Sequence, residues 1–219
     1  MGSEGTGPGP ATRLRIRYSV FSIETDSSRT PETSPHSAMS SALMIIDVQQ
    51  ALCVGQYAMF EVDRVIARIN DMSRRAREAG VPVVVVQHES DAGQGLEYGT
   101  DGWQLATGLV THESDIFVRK KASDAFHQTE LDAVLHAHDV QALIVCGMQS
   151  DFCVESTTRR ALALGYPVVL VSDAHTTMDN GVLTAPQIIA HHNATLSNID
   201  SYGAARVTLE PASSTLVQT

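Results

Sequence analysis

Lysine is nearly missing from this 219-residue chain: Lys120 and Lys121, side by side, stand among 15 basic residues, and all the others are arginine. A lysine amine can exchange its proton where a guanidinium cannot, so the pair reads either as an accident of composition or as an amine kept for chemistry. Cysteine is scarce as well. Cys53, Cys146 and Cys153 make an odd number with no CxxC pair, which excludes a disulfide framework and a zinc-ribbon pattern. A reducing, cytoplasmic setting is the expectation. No apolar run approaches the roughly 20 residues that cross a bilayer, and the first 38 residues carry no basic-then-apolar leader. Positive charge is in deficit too. A net charge of −10 argues against nucleic acid or an anionic membrane as the main partner. What is present, 43% hydrophobic and 18% charged residues, is the balance of a soluble globular protein with one sizeable core.

Residues 1–38 are rich in Gly, Pro, Ser and Thr and read as a disordered or loosely attached extension. An edge strand around residues 13–20 is the alternative there, and Met39 is a candidate start. From residue 42 apolar runs alternate with amphipathic ones. Strands are expected at Ala42–Ile46, Val81–Val86, Asp115–Val118, Ala142–Cys146, Val168–Val171 and Ala205–Leu209. Helices are expected at Val62–Ala79, Glu130–His138 capped by Thr129, Cys153–Leu164 and Thr184–Ala194. Residues 88–112 form a long Gly-rich loop with the single tryptophan, Trp103. One phrase occurs twice: Arg-Arg-Ala leads to Gly80-Val81-Pro82-Val83-Val84 and again to Gly165-Tyr166-Pro167-Val168-Val169. Each is a helix stopped by Gly followed by a strand opened by Pro. The fold class is therefore α/β, a doubly wound parallel sheet with helices on both faces.

In such sheets ligands bind beyond the carboxyl ends of the strands. The polar residues ending the apolar runs are Asp47, His88, Lys120, the stretch Gly147 to Cys153, and Asp173 with His175. Each has an ordinary reading. Asp47 is also a plain strand-end residue and His88 a hydrated one, while a free cysteine is commonly a small buried hydrophobe. Cys146, inside an apolar strand, suits that ordinary reading best. Cys153 is expected to open a helix behind Ser150 and Asp151 as caps, where the helix dipole favours thiolate.

Three segments decide between these readings: Ile45-Ile46-Asp47-Val48-Gln49, Phe117 through Phe126, and Gly147 through Glu155. Together they resemble the signature segments of isochorismatase-like hydrolases, and the resemblance extends over about residues 42–208, within a domain placed at 39–219. It implies a Rossmann-like sheet of six parallel strands and a catalytic triad of Asp47, Lys120 and Cys153. Lys120, and not Lys121, takes the lysine place because it stands six residues before Phe126. It also implies a cis peptide at Met148–Gln149, with the N–H groups of Gln149 and Cys153 facing a developing oxyanion. The chemistry implied is hydrolysis of a C–N bond in a small amide, lactam or ureido substrate through a thioester.

Departures narrow the family. Members that cleave isochorismate lack the cysteine. Nicotinamidase-type members carry an Asp-x-His…His metal site after the second strand, where this chain has His88 and no second histidine before His112, so no metal and no cofactor are expected. Gln49-Gln50-Ala51-Leu52 replaces the frequent Asn-Asp-Phe. The stretch Thr157 to Asn193 is similar to a bacterial branch that includes streptothricin hydrolase, which opens a cyclic amide. Gln49, Tyr57, His88, Trp103, His112 and His175 are the candidates to line a substrate pocket. Relatives form dimers or tetramers, so a homo-oligomer is expected. The competing classes are an inert binding or assembly module, a metal-assisted amidase, and a thiol-redox protein, the last lacking a resolving cysteine near Cys153.

Overall fold

The computed structural model describes residues 40–216, so the readings of residues 1–38 and of Met39 lie outside the described residues. β1 (Ser41–Ile46), β2 (Val83–His88), β3 (Ile116–Lys120), β4 (Ala142–Met148), β5 (Val168–Thr176) and β6 (Val207–Glu210) form one sheet in the order β3-β2-β1-β4-β5-β6. Every pairing within the sheet is parallel. Alternate residues of each central strand enter different cores. Ala42, Met44, Ile46, Val84, Val86, Leu143 and Val145 pack on one face, and Leu43, Ile45, Val83, Val85, Ile144 and Cys146 on the other. Burial on both faces explains why these strands read as continuous apolar runs and not as alternating ones.

Helices cover both cores. α1 (Gln50–Cys53) is a single short turn. α2 (Val62–Glu78) buries Val65, Ile66, Ile69, Met72 and Ala76, spaced i, i+3 and i+4 along one face. α3 (Leu131–Ala137) and α4 (Glu155–Leu164) give Leu131, Leu135, Ala161 and Leu162 to the opposite core, where Leu196 of α5 (Ala185–Ser197) joins them. The repeated phrase has one physical meaning. Gly80 and Gly165 both take left-handed φ values, 70° and 95°, to end α2 and α4. Pro82 and Pro167 then offer their carbonyls to Leu43 and Leu143, each at 2.9 Å, and so start the next two ladders.

β2, β3, β4, β6 and α5 shift by one to three residues from expectation, and three further differences bear on the site. α3 has Glu130 and not Thr129 at its N-cap, although Thr129 Oγ1 still accepts the Leu131 N–H at 3.3 Å. β5 runs on to Thr176 through an irregularity that apolar patterning does not register. The helix expected at Cys153 begins earlier, with a π-helical turn over Ser150–Val154.

Candidate active site

The order of the sheet reverses between β1 and β4, which opens a crevice at their carboxyl ends. Gly147 sets how closely the two ends approach. Its φ of 116° and a notional Cβ only 2.1 Å from the Ile46 carbonyl oxygen leave room for glycine alone. Immediately after Ile46 the chain turns: Asp47 is left-handed, at φ 51°, while its N–H still reaches Val86 O at 2.9 Å. A non-glycine residue there stores roughly 1–3 kcal/mol, and asparagine and aspartate tolerate it best. The Met148–Gln149 peptide that follows Gly147 is cis.

Asp47, Lys120 and Cys153 meet in this crevice. Lys120, 2% exposed at the end of β3, holds Nζ 2.7 Å from Asp47 Oδ2 and 3.1 Å from Cys153 Sγ. The Ala122 carbonyl, at 3.1 Å, and His88 Nδ1, at 3.3 Å, complete its surroundings. An ammonium has three protons, so these four acceptors share them. The segment after Lys120 is anchored to α4, which follows Cys153, because Ala125 N–H donates to Thr157 Oγ1 at 3.0 Å. Asp47 Oδ1 is buried and has no hydrogen-bond partner among the described residues.

Charge in this site is governed by burial. Burial opposes the Lys120 ammonium, but the Asp47 carboxylate and the Cys153 sulfur outweigh it and hold the amine above its ordinary value. Burial, with Asp47 second, pushes the Cys153 thiol up to about 12, against the pull of Lys120. The thiolate expected from the helix dipole is therefore not the resting form. Neither Ser150 nor Asp151 caps the helix, because both side chains are spent elsewhere: Ser150 Oγ on His175 Nδ1 at 2.8 Å, and Asp151 Oδ1 accepting from Thr177 at 2.6 Å. His88 is lowered by burial and by the neighbouring ammonium, which keeps it neutral. Cys53 and Cys146 are also raised by burial, Cys53 to about 11.

A cavity of about 190 Å³ opens on the thiol. Asp47, His88 and Cys153 form its polar side, Leu52, Leu96 and Phe152 its apolar wall, and Ser123 and Gln149 the remainder. Of the six pocket candidates, His88 alone is among these lining residues. Gln49 lies a layer behind, fully buried, its amide bonded to His88 N–H and to the carbonyls of His88 and Trp103, so that it fixes the end of β2. Tyr57 sits on an exposed 3₁₀ turn. Trp103 packs edge-on against Tyr98, centroids 4.7 Å apart, with its buried Nε1 lacking a partner among the described residues. His112 is bonded to Ser114 and Asp115 just before β3 begins, a strand's length from Lys120 at its other end. His175 is buried beneath the π-helical turn. Leu96, a lone apolar residue in a Gly-rich stretch, and Phe152, half exposed beside the cysteine, were the legible signals for the wall.

His88 and His112 thus form no two-histidine metal site. A different set, Asp47, His88 and Cys153, brings its ligand atoms within 4.8 Å of one another and is able in principle to hold a divalent ion. The Lys120 ammonium, in contact with all three residues, opposes a second cation there.

A parallel sheet in this order, with acid, amine and thiol gathered at the crevice, defines a Rossmann-like α/β protein with a thiol-centred site. Residues 41–210 match the isochorismatase domain, and the chain belongs to the isochorismatase family. It is similar to a streptothricin hydrolase of Streptomyces noursei, 41% identical over 147 residues, 67% of this chain and 52% of that protein. The chain spans about half the length of the streptothricin hydrolases it matches. A ureidoacrylate amidohydrolase of Pseudomonas syringae pv. syringae is 31% identical over 169 residues, 61% of this chain and 69% of its own. The crystal structure of an isochorismatase from Pseudomonas putida KT2440 matches at a TM-score of 0.73 and 30% identity, covering 80% of this chain and 89% of that one.

Proposed function

We propose that this protein is a cysteine-dependent amidohydrolase that cleaves a C–N bond of a small amide, lactam or ureido substrate. One observation carries the reading: a single buried ammonium lies 2.7 Å from a carboxylate and 3.1 Å from a thiol at the mouth of a small cavity. Burial and the neighbouring Asp47 carboxylate push the Cys153 thiol up and disfavour free thiolate at neutral pH. Attack therefore needs a base acting in the encounter, and Asp47 is that base.

Asp47 takes the Cys153 proton as sulfur bonds to the substrate carbonyl carbon. The N–H groups of Gln149 and Cys153 receive the oxyanion. The intermediate collapses, the C–N bond breaks, and Asp47 passes its proton to the departing nitrogen, leaving a thioester. Asp47 next takes a proton from water as the hydroxide adds to the thioester carbon. The C–S bond then breaks, and the sulfur recovers its proton from Asp47. Lys120 stays protonated throughout and offsets whichever of its two partners is anionic. The relatives' names agree in kind, since a streptothricin hydrolase and a ureidoacrylate amidohydrolase are both hydrolases by name. A 190 Å³ cavity is smaller than the ~300–1,000 Å³ of typical ligand pockets, and it suits a compact acyl group with the remainder of the substrate projecting past Phe152.

The test is release of ammonia or amine from a panel of small amides, ureas and lactams, with Cys153→Ala as the blank. Turnover of at least one compound that vanishes in Cys153→Ala is the expected result. Turnover that survives the substitution removes the nucleophile and the proposal with it.

A further inference from the structure

Two steps along β4, from Val145 to Gly147, match five along β5, from Leu170 to His175. An irregularity of this kind re-aims a side chain, and here it delivers His175 beneath the turn that carries the nucleophile. The ring is buried and both its nitrogens are engaged: Nδ1 lies 2.8 Å from Ser150 Oγ and Nε2 3.0 Å from Asn193 Oδ1. The direction of these bonds is fixed from the far end. The Ser172 carbonyl can only accept, so the Asn193 amide nitrogen, 3.0 Å away, must be its donor. That turns the Asn193 oxygen toward the ring, so Nε2 carries the proton. Nδ1 is then an acceptor, and the Ser150 hydroxyl must donate to it.

We propose that His175 is a positioning residue for Cys153, a neutral imidazole of fixed tautomer that pins Ser150 and with it the first residue of the nucleophile turn. The inference rests on Cys153 being the nucleophile. Ser150 is wholly buried and begins the five-residue π-helical turn that ends one residue past Cys153. An insertion of this type is common at functional sites. A shift of its first residue moves the sulfur relative to Asp47 and Lys120, which are held by other strands. Burial holds the imidazole well below its ordinary value, at about 4, so the Nδ1 lone pair is present at neutral pH.

The test compares Ser150→Ala, His175→Gln and His175→Asn by the rate at which iodoacetamide alkylates Cys153 in the full chain, with thermal melting to verify folding. Asparagine places an acceptor near the Nδ1 position and keeps the bond to Ser150. Glutamine reaches only the Nε2 position and keeps Asn193. The expected result is a loss of about tenfold in Ser150→Ala and His175→Gln, retention within about twofold in His175→Asn, and no added loss in the Ser150→Ala/His175→Gln double variant. Rates in Ser150→Ala and His175→Gln that stay within about twofold of the parent would overturn the role. So would an equal fall in all three single variants, which marks plain packing. Should His175→Gln fail to fold, Ser150→Ala, which removes one hydroxyl, decides alone. Turnover of a substrate that survives Cys153→Ala would instead overturn the nucleophile reading beneath it.

Discussion

Lys120 and Lys121 are one peptide bond apart and differ in everything that matters. The side chain of Lys120 is fully buried between Asp47 and Cys153. That of Lys121 is 75% exposed and lies 3.4 Å from Glu89, a surface pair worth little. Lys121→Ala is accordingly expected to change stability by less than about 0.5 kcal/mol and to leave turnover intact, as denaturant titration and the hydrolysis assay will show. Lys120→Met leaves the Asp47 carboxylate buried without its cation. That change is expected to cost about 3–5 kcal/mol in unfolding free energy and to remove turnover. Lys120→Arg is no rescue, since the planar guanidinium cannot occupy a site shaped around a compact ammonium. Choosing between the two lysines from sequence needed the count back from Phe126. The burial that makes the choice physical was not legible.

The helix-to-strand connections and the carboxyl end of β1 were legible, because glycine stops, proline starts and doubly buried strands leave plain marks in sequence, whereas β3 and β4 run two residues past their expected ends. The start of the helix at Cys153 was not legible. A π-helical turn has no sequence period of its own at this length. It is held here by Ser150 and Asp151, which bond to His175 and Thr177 some 25 residues on. His88 lines the cavity, but the other five pocket candidates lie outside it for a related reason: polarity near a strand end does not say on which side of the turn a side chain will lie. Gly147 shows the opposite case, in which one residue's missing side chain sets the distance between two strand ends. Gly147→Ala would drive Cβ into the Ile46 carbonyl at a φ alanine avoids, and is expected to lower the unfolding midpoint sharply or abolish folding. Gly165→Ala, also left-handed but with open space around it, is expected to cost only about 1 kcal/mol. A comparison of the two by thermal melting separates backbone collision from helix-cap strain.

Across the whole molecule, buried titratable groups bound the pH range of stability. Burial depresses His175 to about 4 in the fold, with His192 acting in the same sense and Asp173 and Asn193 against it. A depressed group contributes stability above its ordinary value of 6.5 that is lost as pH falls through about 4. Its share is roughly 3 kcal/mol, and urea titrations of His175→Asn are expected to show a flatter acid limb. Cys53 and Cys153 are raised, to about 11 and about 12, so their contribution is complete below pH 9 and is lost as pH rises toward those values. Maximal stability is expected between these limbs. The most direct test of the account is to quench the protein during turnover of a compound it hydrolyses and to locate the covalent acyl group by peptide mass spectrometry. The acyl group is predicted on Cys153, and absent when Asp47→Asn removes the base. Full turnover with no adduct at Cys153, or an adduct at Cys53 in its place, would contradict the account.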